Sequence, residues 1–262
     1  MIRSALMNVM TAAVLKAGRG LKRDLGEIEN LQVSSKGPGD FVSLADKRAE
    51  KTLFEELSKG RPGYGFVMEE SGRVEGADKS HTWHIDPLDG TTNFLHAIPI
   101  FSISVALERD GQIVAGVVYN PADDETYVAE KGQGAWGNNR RLRVAARTEL
   151  SQALFGCGIP HLGKASAHPR FKAELATVMT SVVNVRRMGC ASLDLAYVAA
   201  GRLDAFWERG LNSWDIAAGT LLVREAGGFV SGCDGEANFL ETGSIACGNE
   251  TMHRQLLELL AR

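Results

Sequence analysis

Two strand-like patterns separated by an Asp-Gly pair lie in the first half of the chain. From residue 102 to residue 107 a small or polar side chain alternates with a large apolar one, and residues 113–120 form a second apolar run. Such alternation is typical of a strand with one face in a core, and Asp110-Gly111 between the runs is a strong signal for a tight hairpin turn. The pair predicts an antiparallel sheet in this part of the protein.

Two helical patterns precede the hairpin. Apolar residues between Ala5 and Ala17 recur at helical spacing, which favours an amphipathic first helix over a signal or transit peptide. Ser43 and Asp46 have the spacing of a capping box and predict a second helix that runs to Gly60. Residues 36–40 contain two glycines and a proline, and they predict a mobile loop between the two helices.

The remaining patterns predict short strands and helices. Strands are expected at residues 65–69, 82–86, 125–130, 153–157 and 204–208. Helices are expected near residues 165–181, at 213–226 and from 249 onward, with a further element at 193–200. The rhythm changes from sheet to alternating strand and helix near residue 150, and no linker or repeat separates the halves. We therefore expect one domain over residues 1–262, with an α+β half at 1–148 and an α/β half at 149–262.

Composition excludes several functional classes. The formal net charge is −3 and the basic residues are scattered, so no nucleic-acid partner is expected. The four cysteines form no C-x-x-C pair, which gives no support for a zinc or redox site. Apolar runs are all shorter than the roughly 18 residues that a membrane span requires. We expect a cytoplasmic protein that does not associate with membranes.

One glycine-rich motif matches a nucleotide-binding fingerprint in sequence but not in its expected structural context. Residues 132–137 (Gly-Gln-Gly-Ala-Trp-Gly) match the dinucleotide fingerprint, but that fingerprint needs a helix directly after it. Here Asn138-Asn139 and a short strand pattern at 142–144 follow instead. We interpret the motif as a turn between strands.

The most informative segment is residues 86–92, with the sequence Asp-Pro-Leu-Asp-Gly-Thr-Thr. An apolar strand pattern ends in Asp86, and Pro87 prevents a simple continuation as a helix. Asp89 follows in the same tight loop, and Gly90 permits a dihedral or a close approach that other residues avoid. Two carboxylates could therefore bind a metal beside the free N–H groups of a short helix, which attract anions.

Taken alone, Asp86 and Asp89 could simply cap a turn and a helix, as aspartate often does. Two other acidic sites strengthen the functional interpretation. Glu69-Glu70 follows a buried-looking strand pattern, and Asp215 stands at the start of a long apolar helix for which Ser213 is a plausible cap. The residues alone do not show that these carboxylates converge.

Three segments, in this order, resemble the signatures of the inositol monophosphatase family: residues 69–72 (Glu-Glu-Ser-Gly), 86–92 and 214–219 (Trp-Asp-Ile-Ala-Ala-Gly). Residues 194–202 and 222–228 resemble most closely the bacterial branch that contains the extragenic suppressor protein. The match covers nearly the whole chain. It implies an α+β fold built as a layered αβαβα sandwich, and a homodimer as the active unit.

The resemblance implies two or three divalent cations at the site. Glu69, Asp86 and the Leu88 carbonyl would hold one ion, while Asp86, Asp89 and Asp215 would hold another. Every donor is an oxygen atom, so Mg²⁺ is the favoured ion and Mn²⁺ is possible. Cations are needed because four carboxylates would otherwise repel a phosphate dianion.

The resemblance also implies catalytic roles. Glu69 and Thr91 would orient and activate the attacking water, and Asp46 would accept a hydrogen bond from the Thr91 hydroxyl. A purely structural role for Asp46, as a helix cap, is the alternative. Backbone N–H groups of Gly90 and Thr91 would bind phosphate oxygens, and Glu70 would support the ligands from behind.

For the alcohol half of the substrate, the resemblance implies contacts from Glu208, from the backbone at Ala191 and from Asp89. A solvated strand end is the alternative for Glu208. Arg209 departs from the apolar residue usual in the family, and could admit a larger or more anionic substrate. The expected reaction is Mg²⁺-dependent, Li⁺-sensitive hydrolysis of myo-inositol monophosphate. Histidinol phosphate, fructose 1,6-bisphosphate and nucleotide 3′-phosphates are alternative substrates within the same fold.

A different class of function also follows from the resemblance. Suppressor-type relatives act in transcription antitermination through contacts with the RNA polymerase machinery, so such factors are possible partners. Arg186-Arg187 lies in the stretch that matches this branch. A solvated basic pair or a dimer contact explains these two arginines equally well.

Overall fold

The computed structural model describes residues 4–27, 33–37 and 40–262, and the side chains of residues 4–27 and 43–262. Helix α1 (Ala5–Leu25) begins at Ser4, whose hydroxyl oxygen accepts a hydrogen bond from the Met7 N–H at 3.1 Å. Strands β1 (Val33–Gly37) and β2 (Asp40–Ser43) form an antiparallel pair, and helix α2 (Leu44–Gly60) follows. Both predicted helices are confirmed. The tip of the loop expected at 36–40 lies outside the described residues.

An eight-stranded sheet forms the next layer. Its strands in chain order are β3 (Gly65–Met68), β4 (Gly72–Val74), β5 (His81–Asp89), β6 (Ser102–Arg109), β7 (Gln112–Asn120), β8 (Glu125–Glu130), β9 (Gly134–Gly137) and β10 (Arg140–Arg141). The spatial order is β10-β9-β8-β7-β6-β5-β3-β4, and only the β3–β5 pair is parallel. A short helix α3 (Thr91–Leu95) lies between β5 and β6.

The predicted hairpin is confirmed as the β6–β7 pair. Asp110 and Gly111 both have positive φ, at 51° and 75°. This is the conformation that a two-residue turn needs to match the right-handed twist of its strands. Glycine adopts it at no steric cost, and aspartate tolerates it better than most residues.

The second half of the chain builds a smaller sheet and the helices around it. Its elements are β11 (Leu154–Cys157), α4 (His168–Met179), β12 (Asn184–Arg186), α5 (Ala191–Ala199), β13 (Ala205–Arg209), α6 (Ser213–Glu225), β14 (Phe229–Ser231), α7 (Phe239–Thr242), β15 (Ser244–Gly248) and α8 (Glu250–Leu260). The strand order is β12-β11-β13-β15-β14, parallel across β12, β11 and β13 and antiparallel beyond.

These elements stack as five layers. Helices α1 and α2 cover one face of the large sheet, α5 and α6 lie between the two sheets, and α4 and α8 cover the outer face of the small sheet. The apolar cluster around α5 and α6 contains Val118 and Tyr127 from the large sheet, and Phe206 and Ile245 from the small one. The predicted αβαβα sandwich is confirmed. Because the halves share this core, we keep the expectation of one domain.

Helix α6 packs very closely on both neighbours. A Cβ added at Gly116 of β7 would lie 3.0 Å from the Cα and carbonyl oxygen of Ala218, and one added at Gly219 would lie 2.5 Å from the Leu195 side chain. Such distances leave no room for a larger residue without a shift of the helix. The contact therefore fixes the position of the N-terminus of α6 relative to the large sheet.

Two expectations near residue 135 are wrong in detail. The turn is confined to residues 131–133. The last four residues of the motif, Gly134–Gly137, form β9, which pairs with β8. Residues 142–144 form no strand, since the Val144 N–H bonds instead to the Ala226 carbonyl. Residues 138–149, all described, contain no helix, which confirms that the dinucleotide fingerprint lacks its structural context.

The four cysteines are free and buried. Among the described residues, no helix combines the length and the apolar character that crossing a bilayer requires.

Candidate active site

The carboxylates of the key segment are presented by an irregular strand end. Asp86 of β5 pairs with Ser104 of β6, and Asp89 pairs with Ser102, so β5 has one extra residue between the pairs. Such a bulge bends a strand and redirects its side chains. Asp86 also folds back locally, because its Oδ1 accepts the Leu88 N–H at 2.9 Å. Two carboxyls thus stand at one end of the sheet, on a bulged strand rather than in the tight loop that the sequence predicted, because β5 continues to Asp89.

Gly90 and Thr91 continue this segment into α3. Gly90 has φ 89°, and a Cβ there would lie 3.0 Å from the Ile100 carbonyl oxygen. Only glycine satisfies both constraints. The Thr91 hydroxyl lies 3.0 Å from the Leu88 carbonyl oxygen and 3.2 Å from Asp46 Oδ1, and it can donate to either. Thr91 is therefore held in a fixed orientation at the mouth of the site.

The contacts of Asp46 are compatible with both the capping role and the catalytic role. Its Oδ2 accepts hydrogen bonds from the Ser43 N–H at 2.8 Å and the Ser43 hydroxyl at 2.6 Å, which completes the capping box of α2. Its Oδ1 faces Thr91. Burial is the main cause that raises the pKa of Asp46, and the bonds from Ser43 oppose the rise. One side chain thus links α2 to the catalytic segment.

Glu69 and Glu70 directly follow β3. The Glu69 N–H donates to the Ile85 carbonyl at 3.2 Å, which extends the parallel β3–β5 pairing and brings Glu69 beside Asp86. The next loop is fixed by Glu50 of α2, which accepts from the Glu70 N–H at 2.8 Å and the Ser71 hydroxyl at 2.5 Å.

Sequence reasoning missed Glu50. It is only 3% exposed, and it stands next to Ala49 on the apolar face of α2. A charged residue within a buried stripe was the available signal, because such a residue needs a partner.

Asp215 comes from the N-terminus of α6. Its Oδ2 accepts the Asn212 N–H at 2.7 Å, and Asn212 is the N-cap residue of the helix. The expected cap, Ser213, is wrong by one position, because its hydroxyl instead bonds to His84 Nδ1 at 2.9 Å. That bond ties α6 to β5, the strand that carries Asp86.

The carboxyls converge. Glu69 and Asp215 each approach Asp86 closely enough to share a hydrogen bond with its carboxyl. Burial raises the pKa of Asp86 well above its usual value, and the negative charges of Glu69, Asp89 and Asp215 raise it further. Burial, followed by the charge of Asp89, raises the pKa of Asp215 to about 7. These shifts are the expected consequence of like charges gathered out of water.

This donor set suits a hard divalent cation, because it consists of carboxylate and carbonyl oxygens alone. Burial and mutual repulsion raise the pKa values of Asp86 and Asp215, and positive charge would relieve the repulsion. Within residues 4–27 and 43–262, no three His, Cys, Asp or Glu side chains are already closed around a point as an ion cage. The donors fit Mg²⁺ in chemistry.

The side of the site expected to face the alcohol is formed by α5 and β13. Burial raises the pKa of Asp89, and hydrogen bonds to its Oδ2 from the Ser192 N–H at 2.7 Å and the Ser192 hydroxyl at 2.6 Å oppose the rise. Ala191 precedes Ser192 and is buried. Asp89 is thereby clamped between the large sheet and α5, and Ser192 is a further residue that sequence reasoning missed.

Glu208 of β13 is not a solvated strand end. Burial, followed by the charges of Asp89 and Asp215, raises its pKa to about 8. A Cβ added at Gly158 would lie 1.7 Å from its Cδ, so the carboxyl packs directly on that glycine. It borders a pocket of about 160 Å³ that also contains Trp207 and Arg209.

Arg209 is neutralised. Its Nε lies 2.9 Å from Glu174 Oε1 and its Nη2 lies 3.0 Å from Asp234 Oδ1. Because two carboxylates engage this guanidinium, the expectation that Arg209 admits a more anionic substrate is not supported.

A cleft of about 250 Å³ opens over these elements. Five of the predicted residues line it: Glu69, Asp89, Gly90, Thr91 and Asp215. The buried predicted residues beneath or beside them are Asp46, Asp86, Leu88 and Ala191. Glu70 lines a separate surface pocket next to α2. The structure therefore gathers most of the predicted residues at this cleft, while Glu208 borders the neighbouring pocket and Glu70 lies outside it.

The layered fold and this cleft define the class of protein. A model of the inositol monophosphatase family matches residues 3–262. The chain therefore belongs to the inositol monophosphatase family and is a phosphoric monoester hydrolase, as the sequence predicted.

Individual relatives are similar over their full length. The chain is 62% identical to "Inositol-1-monophosphatase" of Mesorhizobium japonicum, across 100% of this chain and 98% of the relative. It is 41% identical to "Nus factor SuhB" of Pseudomonas aeruginosa, across 96% and 94%. Among solved structures, extragenic suppressor protein suhB from Bartonella henselae superposes with a TM-score of 0.96 at 54% identity and covers 99% of both chains.

Proposed function

We propose that the protein hydrolyses myo-inositol monophosphate to inositol and phosphate in a Mg²⁺-dependent reaction. The observation that carries this proposal is the convergence of Glu69, Asp86 and Asp215 from three distant parts of the chain at one cleft. The name of the relative that is 62% identical over the whole chain supports inositol as the alcohol.

Two or three Mg²⁺ ions would be held by the carboxyls of the cleft. Glu69, Asp86 and the Leu88 carbonyl would bind one ion, and Asp86, Asp89 and Asp215 another, with Mn²⁺ as a possible substitute. When bound, the ions supply positive charge that offsets the carboxylates and the phosphate and makes water more acidic.

Two side chains are placed to orient the attacking water. The Thr91 hydroxyl can donate to Asp46 or to the Leu88 carbonyl, which leaves a lone pair of its oxygen to accept from water. Glu69 lines the same cleft and would receive the proton that the water loses. Glu70 supports this wall through the bond from its N–H to Glu50 at 2.8 Å.

The phosphate would lie at the Gly90 turn. N–H groups of Gly90 and Thr91 would donate to its oxygens, at the end of α3 where peptide dipoles favour negative charge. Water oxygen attacks phosphorus, the bond to the ester oxygen breaks, and the leaving alkoxide takes up a proton to become the alcohol. These reaction steps form no covalent bond to the enzyme.

The alcohol would lie between Asp89, the backbone at Ala191 and Glu208. Because the pKa of Glu208 is raised to about 8, its carboxyl is protonated near neutral pH. It can therefore both donate to and accept from neighbouring hydroxyls, which suits a ring that carries several of them.

The test is phosphate release from myo-inositol 1-phosphate, with and without Mg²⁺, against a panel of histidinol phosphate, fructose 1,6-bisphosphate and a nucleotide 3′-phosphate. We expect the highest kcat/KM for the inositol ester, inhibition by Li⁺, and near-complete loss of activity in Asp89→Asn. Full turnover by that variant, or by wild type in EDTA, would contradict the proposal. If another ester in the panel had a higher kcat/KM, the proposed phosphatase activity would stand, and the alcohol of that ester would replace inositol in the proposal.

We further propose that the protein is a cytoplasmic homodimer. Strand β12 is an edge of the small sheet, and the exposed Met179 and Val183 precede it, each 61% exposed. An unpaired strand edge beside large exposed apolar side chains favours association between subunits. Light scattering after size exclusion gives the mass in solution, and a strict monomer at micromolar concentration would contradict the dimer. Cell fractionation gives the compartment.

Contact with the transcription antitermination machinery is a second candidate function. It is favoured by the relative named "Nus factor SuhB", 41% identical to this chain. Arg187→Ala would not test it cleanly, because Arg187 lines the catalytic cleft. Arg186→Ala avoids this difficulty. We expect a tagged protein to retain RNA polymerase factors in Asp89→Asn and to lose them in Arg186→Ala; retention of none by wild type would remove this candidate.

A further inference from the structure

The catalytic cleft is lined by side chains of both charges. Glu69, Asp89 and Asp215 line it together with Lys164 and Arg187. The proposed metal ions would offset the carboxylates, but nothing in the proposed reaction engages the two basic side chains. They come from different segments, the turn before α4 and the loop after β12.

Arg187 is available for a ligand. Its side chain forms no hydrogen bond or ion pair with any described residue, unlike Arg209, which is paired twice. The guanidinium lies over Gly189, since a Cβ there would be 2.5 Å from its Nη1. That loop is itself fixed, because the Asn93 side-chain amide donates to the Met188 carbonyl at 2.9 Å.

The Lys164 ammonium is held by the Gly210 carbonyl, to which it donates a hydrogen bond. A single carbonyl leaves two N–H donors of the ammonium free. The positive charges of Lys164 and Arg187 both oppose the rise in the pKa of Glu208, which places both cations within Coulomb reach of the carboxyl proposed to contact the alcohol.

We propose that Arg187 and Lys164 form a subsite for a compact anionic group, a second phosphate or a carboxylate, carried by the alcohol half of the substrate. The ester phosphate lies at the carboxylates of the cleft, and the second anion lies against Arg187 and Lys164. The subsite rests on the proposed phosphatase function and widens its substrate class to bis-anionic esters.

The experiment compares pairs of esters that differ by one anionic group: fructose 1-phosphate with fructose 1,6-bisphosphate, and glycerol 2-phosphate with 2-phosphoglycerate. The ratio of kcat/KM within each pair is measured at fixed free Mg²⁺ for wild type, R187Q, K164Q and R187K. R186Q is the matched control, because Arg186 is an exposed neighbour with the same charge that does not line the cleft.

In R187Q and K164Q we expect the ratio of bis-anionic to mono-anionic ester to fall about tenfold or more, chiefly through KM, since a charge-assisted hydrogen bond is lost. R187K should keep most of the preference, and R186Q all of it. A purely structural role would lower both members of a pair equally.

The two proposals fail in different ways. Unchanged ratios in R187Q and K164Q, or wild-type turnover of the mono-anionic esters alone, would overturn the subsite and leave the phosphatase intact. No hydrolysis of any ester by wild type with Mg²⁺ would remove both.

Discussion

Asp215→Asn should abolish activity and yet stabilise the metal-free protein. Burial and the charge of Asp89 raise the pKa of Asp215 from 3.8 to about 7. Near pH 8 the folded protein therefore carries a negative charge that is unfavourable where it stands. Asparagine has nearly the same shape and keeps an oxygen that can accept the Asn212 N–H, now 2.7 Å away, so the substitution removes charge without losing the helix cap.

The sign and size follow from linkage. The pKa of Asp215 is higher in the folded state than in the unfolded one, so its contribution to stability is complete below pH 4 and is lost as pH rises from about 4 to about 7. A shift of about 3 units corresponds to roughly 4 kcal/mol. The repulsion is shared among several carboxyls, so we expect a gain of about 1–3 kcal/mol at pH 8. For a protein of this size that gain raises Tm by roughly 3–10 °C.

The assay is calorimetry of wild type and variant in EDTA at pH 5 and pH 8, repeated with Mg²⁺. We expect the Tm advantage of Asp215→Asn at pH 8 to shrink at pH 5, and Mg²⁺ to stabilise wild type more than the variant. Glu258→Gln, which makes the same charge change on the exposed side of α8, is the control. An unchanged or lower Tm for Asp215→Asn at pH 8 in EDTA would refute the reasoning.

Three further outcomes are expected. Gly158→Ala places a methyl group 1.7 Å from Cδ of Glu208, so KM for inositol phosphate should rise more than kcat falls; unchanged kinetics would contradict this. Asp194→Asn should raise Tm at pH 8 more than at pH 5, because burial raises the pKa of Asp194 and its Oδ1 has no partner among the described residues. Asn93→Ala leaves the Ile100 and Met188 carbonyls unpaired, and urea unfolding should show a loss of about 1–3 kcal/mol.

The sequence predicted the long periodic elements well. Alternation and the Asp110-Gly111 turn gave the central hairpin, and apolar spacing gave α1, α2 and α6, because these signals are local. Strands β12, β14 and β15 were not predicted. They are only three to five residues long, so local composition carries little information about them.

For the site, the residue types were predictable and their convergence was not. The resemblance named Glu69, Asp86, Asp89 and Asp215, but their proximity depends on three-dimensional packing. Glu50 and Ser192 escaped notice because each acts through hydrogen bonds to a distant segment, the loop after Glu69 in one case and Asp89 in the other. Nothing in sequence spacing reveals such a partner.

The expectation for Arg209 was not supported, also because the partners of this side chain come from distant parts of the chain. A charged residue in place of an apolar one suggested a change of substrate. Its partners, Glu174 and Asp234, come from α4 and from the loop after β14, and together they neutralise it. The free guanidinium belongs to Arg187 instead, which only the fold could show.

The close contact between Gly116 and Ala218 bears on how this enzyme can evolve. Helix α6 carries Asp215, the large sheet carries Asp86 and Asp89, and the spacing between the two layers is set where these small residues meet. A single methyl group gained there would move one carboxylate relative to the others, although the contact touches neither ion nor substrate. Selection for activity therefore constrains residues in the interior that take no part in the chemistry.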